Sequence, residues 1–544
     1  MDKMNSSQMT MPILEWHEAL RPAPTISNRF VSSLVGYIIL ITTIALARSY
    51  IQRYFKNRKE DSLGKQNRCE LPHMLESNWP LGIDLISKII AAGQDKRVCK
   101  FFCKMVDGAG DTFSWFAIGL RCWATTNPEN VEAILSTFAN DFGHDVRRAV
   151  VGSLIGDGIF TQDGAAWKHS RALLRPQLLK KRYSDLNIFR EHVDNMIRYL
   201  PSNGGKVDLQ PLFFRLTMDA STAFLFGKSV NSLNPDQAED AENFTEAFQF
   251  AQEYVKKRYQ LGGMCWLMNS KKYQKACRTV HGFVDNLSLK AIQTRKARTN
   301  SSGEFEATNL LDSLVCETQD RVELRSHVLH LLLAGRDTTA TLLSWTMRLL
   351  AIYPNVLERV REEIASTFEE DEEITYEGLR KLTYLSCVLK EVLRLYPSVP
   401  INSRTALRTV ILPRGGGADR QHPVMIRKGE DVSYCTYAMH RRKDIYGDDA
   451  DIFRPERWEN EQLRKVENSY GYIPFHAGPR ICPGQDFALT ETLYTIVRLV
   501  QRFDGLQYAG TEELLPLGEE QQNLGLVLVS ADGCWVDLKS AGVS

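Results

Sequence analysis

A ten-residue loop near the C-terminus places the tightest constraint on how this chain can fold. Residues 475–484 read FHAGPRICPG. The glycines Gly478 and Gly484 allow a tight turn and a close approach to a flat ligand, where a Cβ atom would collide. Backbone N–H groups in such a turn can stabilise negative charge on the Cys482 sulfur. The Arg480 guanidinium group can donate paired hydrogen bonds to an acidic group of the ligand. The pattern predicts a loop that holds one cysteine sulfur against an iron.

Residues on both sides of the loop favour the same interpretation. Phe475 can shield the sulfur from water, and residues 486–494 predict a helix whose N-terminus stabilises a nearby thiolate. The alternative is that Cys482 is an ordinary buried cysteine in a Gly/Pro-rich loop. The combined pattern closely resembles the haem-binding loop of cytochrome P450 monooxygenases. The resemblance implies haem b with Cys482 as the axial ligand, an arrangement that favours O–O cleavage.

A second segment lies in the middle of a long predicted helix, residues 321–350. Residues 334–339 read AGRDTT, and Gly335 would cost such a helix about 1 kcal/mol relative to alanine, which suggests close packing there. Thr338 can bond back to a carbonyl one turn earlier, and Asp337 can exchange protons with water. The alternative is a capped or kinked structural helix. The segment resembles the oxygen-activation segment of the same family, which implies catalytic roles for Asp337 and Thr338.

Two further patterns are weak when taken alone. Trp167 and Arg171 lie one helical turn apart, and in the family this helix reaches a haem propionate. Glu391 and Arg394 share a helix face, where an exposed pair would add only roughly 0.2–0.5 kcal/mol. The resemblance implies that Arg457 contacts Glu391 and Arg394, so that the three residues form a buried structural triad. By the same resemblance, the residues that contact haem are Trp167, Arg171, Phe475, Gly478, Arg480 and Gly484.

Composition excludes other classes of function. The net charge of +1 shows no basic excess, so nucleic acid is not an expected partner. Eleven cysteines without regular spacing do not form the disulfide framework of a secreted protein. Most of the chain is therefore expected in a reducing compartment.

An uncharged run near the N-terminus predicts a membrane anchor. Residues 30–47 carry no charged side chain and lie near the lower length limit for a transmembrane helix, with a buried core helix as the alternative. Basic residues follow directly after residue 47, which marks the C-terminal side of the run as cytosolic. We expect a luminal segment 1–29 with a glycosylation sequon at Asn5, a span 30–47, a basic linker 48–75 and a cytosolic haem-thiolate monooxygenase domain 76–544. The expected location is the endoplasmic reticulum membrane, crossed once.

Helical periodicity dominates the chain beyond residue 76, and strand-like runs are short. The expected fold is therefore mainly α, a large helical haem domain with small peripheral β-sheets, as in cytochrome P450 enzymes. The predicted helices include 184–200, 212–227, 239–258, 273–296, 306–317, 321–352, 354–368 and 383–396. The predicted strands are 117–123, 405–412, 423–427, 431–435, 525–529 and 535–538.

Three shorter motifs resemble one fungal branch of the family, which hydroxylates alkanes and fatty acids. They are YPSVP at 396–400, LPRGGG at 412–417 and HRRKDIYG at 440–447. Two residues depart from that branch: His476 stands where Asn is common, and Pro483 where Leu is common. The branch implies a lipophilic, long aliphatic substrate, either a fatty acid, an alkane or an aliphatic secondary metabolite such as a polyketide. The positions that would line its pocket are Ile155, Phe160, His330, Ala334, Val399, Ile401 and Leu524.

The resemblance also implies O₂ and electrons from an NADPH-cytochrome reductase. The basic residues 180–182 offer a docking surface for it or, alternatively, an ordinary solvated face. Two other functions stay open. The same fold can run a rearrangement or dehydration without external electrons, or the chain can be a non-enzymatic haem carrier or sensor. Asp337 and Thr338 favour the oxygenating enzyme, because a non-oxygenating one has less need of a proton relay.

Overall fold

The computed structural model describes residues 60–79, 82–117, 120–178, 184–201, 204–234, 239–298, 307–369, 372–510 and 514–540, together with residues 40, 43, 44 and 48. The chain divides into two compact units, Met1–Gln66 and Asn67–Ser544. In the first unit, residues 60–66 are helical. Residues 67–75 belong to the second unit, because strand β1 (His73–Met74) pairs with β2 (Thr112–Ala117). The basic linker over 48–75 remains a prediction.

The predicted membrane span lies almost wholly outside the described residues. Of residues 30–47, the structure describes only Leu40, Thr43 and Ile44. Within the part of the chain that it describes, no helix combines the length and apolar character needed to cross a bilayer. The span, the luminal segment 1–29 and the sequon at Asn5 remain predictions.

The second unit is mainly helical, which confirms the predicted fold class. Its helices are α1 (Ile83–Gln94), α2 (Val98–Ala109), α3 (Pro128–Glu132), α4 (Asp145–Ile155), α5 (Gly164–Leu174), α6 (Asn187–Tyr199), α7 (Leu209–Phe226), α8 (Glu239–Leu261), α9 (Lys271–Arg298), α10 (Leu310–Glu317), α11 (Arg321–Ile352), α12 (Pro354–Thr367), α13 (Tyr376–Leu379), α14 (Thr383–Leu395), α15 (Thr436–Met439), α16 (Lys443–Tyr446), α17 (Glu461–Glu467) and α18 (Gln485–Arg502).

The strands of the described residues form small sheets. The remaining strands are β3 (Leu120–Thr125), β4 (Phe142–Gly143), β5 (Gly205–Asp208), β6 (Ile401–Ala406), β7 (Val410–Gly416), β8 (His422–Ile426), β9 (Asp431–Cys435), β10 (Phe503–Tyr508), β11 (Gln522–Leu524), β12 (Leu528–Ser530) and β13 (Trp535–Ser540). The largest sheet has the order β1-β2-β3-β9-β6-β4, and the next has the order β10-β13-β5. The pairs β7-β8 and β11-β12 stand alone.

Two of the predicted strands run across the ends of two observed strands. The run 117–123 spans the end of β2 and most of β3, which pair antiparallel with Ala117 opposite Leu120. The run 405–412 likewise covers the end of β6 and the start of β7, whereas 525–529 covers the connection after β11 and the start of β12. Each of these connections is short and contains an apolar residue, so periodicity alone does not show where one strand ends.

Helix α11 runs through the middle of the second unit and packs against α7, α9, α14 and α18. It begins where the Asp320 carboxylate accepts hydrogen bonds from the Val322 and Glu323 N–H groups. It ends before Pro354, which disfavours helical geometry at Tyr353 and then starts α12 at its first position. Most of α11 is buried, so its length follows from packing on all sides rather than from an amphipathic pattern.

A buried charge cluster ties α14 to the segment before the Cys482 loop. Arg394 donates two hydrogen bonds to the Glu391 carboxylate, at 2.9 and 2.8 Å, and Arg457 donates a third at 3.1 Å. The Trp458 indole N–H donates to the same carboxylate at 2.9 Å. The three charged side chains have no exposed surface. The structure thus brings together Glu391, Arg394 and Arg457 in the arrangement that the sequence predicts.

Glu391→Gln is expected to lower the free energy of unfolding by about 3 kcal/mol or more, because it leaves two buried guanidinium groups short of negative charge. The measurement is urea unfolding of the holoprotein. Glu459→Gln is the matched control, since it breaks an exposed pair with Arg359 and should cost at most about 1 kcal/mol. Equal losses in the two variants would contradict a structural role for the cluster.

Candidate active site

A tight turn presents Cys482 to a cavity beside the start of α18. The Cys482 N–H donates to the Phe475 carbonyl at 2.9 Å. Gly478 has φ +66°, and a Cβ atom there would lie 2.1 Å from the Leu135 carbonyl oxygen, so the position requires glycine. Gly484 lines the cavity, and no atom lies within 4 Å of where its Cβ would be. The turn therefore leaves open space over the sulfur.

The surroundings of Cys482 act on the pKa of its thiol in two opposing directions. Burial raises the pKa of the Cys482 thiol, while a hydrogen bond from the Gly484 N–H and the charge of Arg171 lower it. A coordinating metal ion deprotonates a thiol outright, and the N–H bond and the cation then stabilise the thiolate.

Helix α5 supplies an aromatic and basic wall next to this loop. The Arg480 guanidinium lies over the Trp167 ring, 4.3 Å from its centroid, and Arg171 lies on the same ring at 5.7 Å. Arg171 also donates to the Ile481 carbonyl at 2.9 Å. Arg480 donates to the Asp163 carboxylate at 2.7 Å. Trp167, Arg171 and Arg480 all line the cavity, so the structure places these three predicted cofactor residues together.

The same wall contains residues that sequence reasoning missed. Buried Arg404, on β6, donates to His476 Nε2 at 2.8 Å, and the Tyr434 hydroxyl donates to the same nitrogen at 2.7 Å. His476 Nδ1 lies 2.9 Å from the Ala477 carbonyl, which requires a proton on Nδ1. His476 has φ +66°, a left-handed conformation that His and Asn tolerate better than most residues. The left-handed conformation explains why His476 can stand where the fungal branch commonly has Asn.

The donor set of this wall fits haem. Burial, together with Arg404 and Arg147, lowers the pKa of Arg480 to about 10 against the opposing effect of Asp163. Burial is also the main cause of the lowered pKa of Arg404. These guanidinium groups line a cavity whose wall carries more positive than negative charge. The two carboxylates of haem would balance that charge, and Cys482 would supply the ligand for its iron.

Helix α11 forms the opposite wall. The Thr338 hydroxyl donates to the Ala334 carbonyl at 2.6 Å, the back-bond that the sequence predicts, and Thr338 lines the cavity. A Cβ atom at Gly335 would lie 3.0 Å from Ser221 Oγ on α7, so the absence of a side chain there permits close helix packing. Helix α11 is helical without interruption over Arg321–Ile352.

Asp337 faces away from Thr338, toward a second and more polar cavity. Gln252 on α8 donates to one Asp337 carboxylate oxygen at 2.8 Å, and Arg336 donates to the other at 2.9 Å. Arg336 also donates to the Gln252 amide oxygen at 2.8 Å, so the three side chains form a closed network. Burial raises the pKa of Asp337, and Arg336 and Gln252 oppose that rise.

The predicted pocket residues divide into two groups. Phe160, Ala334 and Val399 line the first cavity. The wall of that cavity does not include Ile155, His330, Ile401 or Leu524. Ile155 and His330 are buried, and Ile401 and Leu524 pack against the core.

His330 makes its hydrogen bonds away from the cavity wall. Its Nδ1 accepts the Phe160 N–H at 3.2 Å, and its Nε2 lies 3.3 Å from the Gly156 carbonyl. The imidazole ring therefore ties the segment after α4 to α11 instead of reaching the cavity.

Comparison with known proteins identifies the family. The cytochrome P450 family model matches residues 78–530. A protein named cytochrome P450 from Arthroderma benhamiae is 43% identical over 516 residues, which cover 94% of this chain and 99% of that protein. Cytochrome P450 52A4 from Candida maltosa is 39% identical over 91% of this chain and 95% of its own length. Cytochrome P450 monooxygenase g430 from a Fusarium species is 40% identical over 88% of this chain and 86% of its own length.

The fold agrees with these relatives. The crystal structure of the cytochrome P450DA heme domain superposes with a TM-score of 0.72 over 87% of this chain and 98% of that domain, at 21% identity. This chain belongs to the cytochrome P450 monooxygenase family. Its cofactor is haem iron with an axial cysteine thiolate, which confirms the predicted family, enzyme class and cofactor.

The second unit is expected to lose stability in acid partly through His476. Burial and Arg404 lower the pKa of His476 from 6.5 to about 3. Between these values the unfolded chain binds a proton that the folded chain does not, so stability falls as pH falls, by up to about 1.4 kcal/mol per pH unit. His476→Asn should make the decline between pH 6.5 and pH 5 shallower, as measured by urea unfolding at each pH. His422→Asn, at a half-buried histidine outside the cavity, is the control, and an unchanged slope in His476→Asn would contradict the expectation.

Proposed function

We propose that this enzyme hydroxylates a long aliphatic substrate, a fatty acid or an alkane, with Cys482 as the ligand of the haem iron. The observation that carries the proposal is one cavity that joins the Cys482 loop, the Thr338 hydroxyl and an apolar wall. The apolar wall is built from Phe160, Phe224, Leu225, Leu331, Leu342, Val399 and Phe487. Such a wall suits a hydrocarbon chain, and the motifs at 396–400, 412–417 and 440–447 support an aliphatic substrate.

Haem bound through a thiolate supplies dioxygen activation and the transfer of one oxygen atom to a C–H bond. The chain itself positions the substrate and delivers protons to the substrate cavity. Asp337 exchanges protons with water through its carboxylate, within a network that borders the second cavity. Thr338 presents its hydroxyl to the substrate cavity, where it orients the last donor of that route.

The proposal includes the membrane and the electron donor. An anchor at 30–47 would hold the catalytic domain at the cytosolic face of the endoplasmic reticulum, where a lipophilic substrate is concentrated. An NADPH-cytochrome reductase would supply the electrons. The basic residues 180–182, which lie outside the described residues, would attract its acidic surface, so that turnover should fall as ionic strength rises.

The substrate class is tested with microsomes that contain the full chain and a cytochrome P450 reductase. We expect NADPH-dependent hydroxylation of lauric acid or hexadecane, detected by mass spectrometry. Turnover of neither aliphatic compound, together with oxidation of a compound without an aliphatic chain, would contradict the substrate class. A product formed without NADPH or O₂ would instead favour a rearrangement or dehydration.

Cys482→Ser tests the ligand. The variant is expected to lose the thiolate Soret band of the reduced carbon monoxide complex, because serine oxygen does not replace the thiolate. Cys387→Ser is the matched control, since Cys387 is also half-buried but lies on α14 outside the cavity. An unchanged band in Cys482→Ser would overturn the assignment.

Thr338→Ala tests the proton route. We expect haem content to stay unchanged while product formed per NADPH falls about tenfold or more and hydrogen peroxide release rises. Thr338→Ser keeps the hydroxyl and should restore coupling. Thr346→Ala is the control, because Thr346 makes the same back-bond on α11, to the Leu342 carbonyl at 2.7 Å, away from the cavity. Full coupling in Thr338→Ala would exclude Thr338 from the route.

A further inference from the structure

A buried tryptophan and a buried tyrosine stack directly behind the wall of the active-site cavity. Trp345 on α11 and Tyr396 after α14 have ring centroids 3.9 Å apart and ring planes inclined by only 9°. Each follows a cavity-lining leucine by three residues, Leu342 and Leu393 respectively, so each lies one helical turn from the cavity wall. Each of the two residues has 1% of its surface exposed. Two readily oxidised rings therefore lie in contact one layer behind the substrate cavity, shielded from solvent.

The polar atoms of the two rings have different partners. The Trp345 indole N–H donates to the Leu528 carbonyl at 2.9 Å, and a carbonyl oxygen does not take up the proton. The Tyr396 hydroxyl is within hydrogen-bonding reach of the Glu520 carboxylate. Burial, with Glu520 adding to it, raises the pKa of Tyr396, so the resting phenol keeps its proton. An oxidised phenol is a far stronger acid, and Tyr396 can then pass that proton to Glu520.

The Glu520 carboxylate is fixed in position and lies close to the surface. The Gly518 N–H donates to one of its oxygens at 2.8 Å, and the Gln522 amide donates to the other at 2.6 Å. Glu520 itself is buried, but the side chain of the next residue, Glu519, is 41% exposed. The series Trp345, Tyr396 and Glu520 therefore leads from the cavity wall toward solvent.

We propose that Trp345 and Tyr396 form a protective electron path, which reduces the active site when its oxidising equivalents are not passed to a substrate. This role goes beyond the proposed function and does not depend on which substrate the enzyme hydroxylates. The haem-thiolate chemistry of the family cleaves the O–O bond, and the oxygen atom that remains needs two electrons and two protons to become water.

The path supplies these electrons one at a time. In each of two passes, Trp345 gives one electron to the active site and takes one from Tyr396, whose hydroxyl proton moves to Glu520. A thiol in solution, such as glutathione, then gives one electron to the Tyr396 radical, and Glu520 returns the proton. Each thiol releases its own proton, and the two oxidised thiols join as a disulfide. The two protons that the thiols release balance the two that the new water takes up.

The first test detects the oxidised tyrosine. Purified haem-loaded enzyme without substrate is mixed with m-chloroperoxybenzoic acid and frozen, and its electron paramagnetic resonance spectrum is recorded. The wild type should show a tyrosyl radical, and Tyr396→Phe should lose this signal. Trp345→Phe should weaken it, because phenylalanine is much harder to oxidise. Glu520→Gln should weaken it as well, because an amide does not take up the proton.

Tyr273→Phe is the matched control. Tyr273 is also buried and stacks on another ring, that of Tyr254 at 4.6 Å, but its hydroxyl lies 2.7 Å from the Ser153 hydroxyl instead of near a carboxylate. The radical signal should therefore persist in Tyr273→Phe. Haem per polypeptide is measured in every variant before the oxidant is added, and Tyr396→Phe decides the test if Trp345→Phe binds less haem.

The second test measures protection. During NADPH turnover with the reductase and without substrate, haem should be lost several-fold faster in Tyr396→Phe than in the wild type. Glutathione should slow the loss of haem in the wild type but not in Tyr396→Phe, a difference that a merely structural role would not produce.

Three results would overturn the inference. They are the absence of a radical in the wild type, a signal that persists in Tyr396→Phe, and equal protection by glutathione in the wild type and Tyr396→Phe. Loss of the signal in Tyr434→Phe instead would place the oxidised residue on the cavity wall, where the Tyr434 hydroxyl donates to His476 Nε2. Because the peracid supplies the oxidant, a failure to hydroxylate laurate or hexadecane would contradict the proposed function and leave this inference in place.

Discussion

The chemistry of this enzyme depends on the backbone turn that ends at Cys482. The Cys482 N–H donates to the Phe475 carbonyl and the Ile481 N–H to the Gly478 carbonyl within the turn, and the Leu135 carbonyl leaves no room for a Cβ atom at Gly478. A side chain at Gly478 would have to displace backbone rather than a flexible group, so the sulfur would move with it. Because α18 starts directly after Gly484, the same turn sets both the sulfur and the helix N-terminus that faces it. The position of the sulfur is thus determined by backbone contacts.

Buried arginines in this fold have two distinct kinds of surroundings. Arg394 and Arg457 are enclosed by the Glu391 carboxylate and by backbone carbonyls, so their charge is fully matched within the protein. Within the described part of the chain, the hydrogen-bond acceptors of Arg404 are neutral. They are the Asn402 side-chain oxygen, the Ser403 carbonyl and His476 Nε2. A buried charge without a counter-charge is costly, so a protein keeps one where a ligand supplies the anion. This difference separates the structural cluster from the wall of the active site.

Local signals account for what the sequence predicts well. The Cys482 loop, α11 with its Thr338 back-bond, and the Glu391–Arg394 pair each depend on residues within a few positions of one another. The missed residues have no such signal. Gln252 meets Asp337 across 85 residues of chain, and Arg404 meets His476 across 72.

The weak pocket prediction has the same cause. A side chain's direction depends on how its helix is rotated, and the His330 ring contacts the Phe160 N–H and the Gly156 carbonyl instead of lining the cavity. The predicted strand ends differ from the observed ones for a related reason, since the β2–β3 and β6–β7 connections are short and each contains an apolar residue.

The helical period explains how two adjacent residues can serve two compartments. Successive side chains on an α-helix point about 100° apart. Thr338 therefore reaches the substrate cavity while Asp337 reaches the polar cavity behind α11. An acid that faced the apolar cavity would have no water with which to exchange protons, and an open path for water would expose the reacting centre. Helix α11 packs closely against α7 at Gly335, so the proposed proton route would cross from one cavity to the other through side chains.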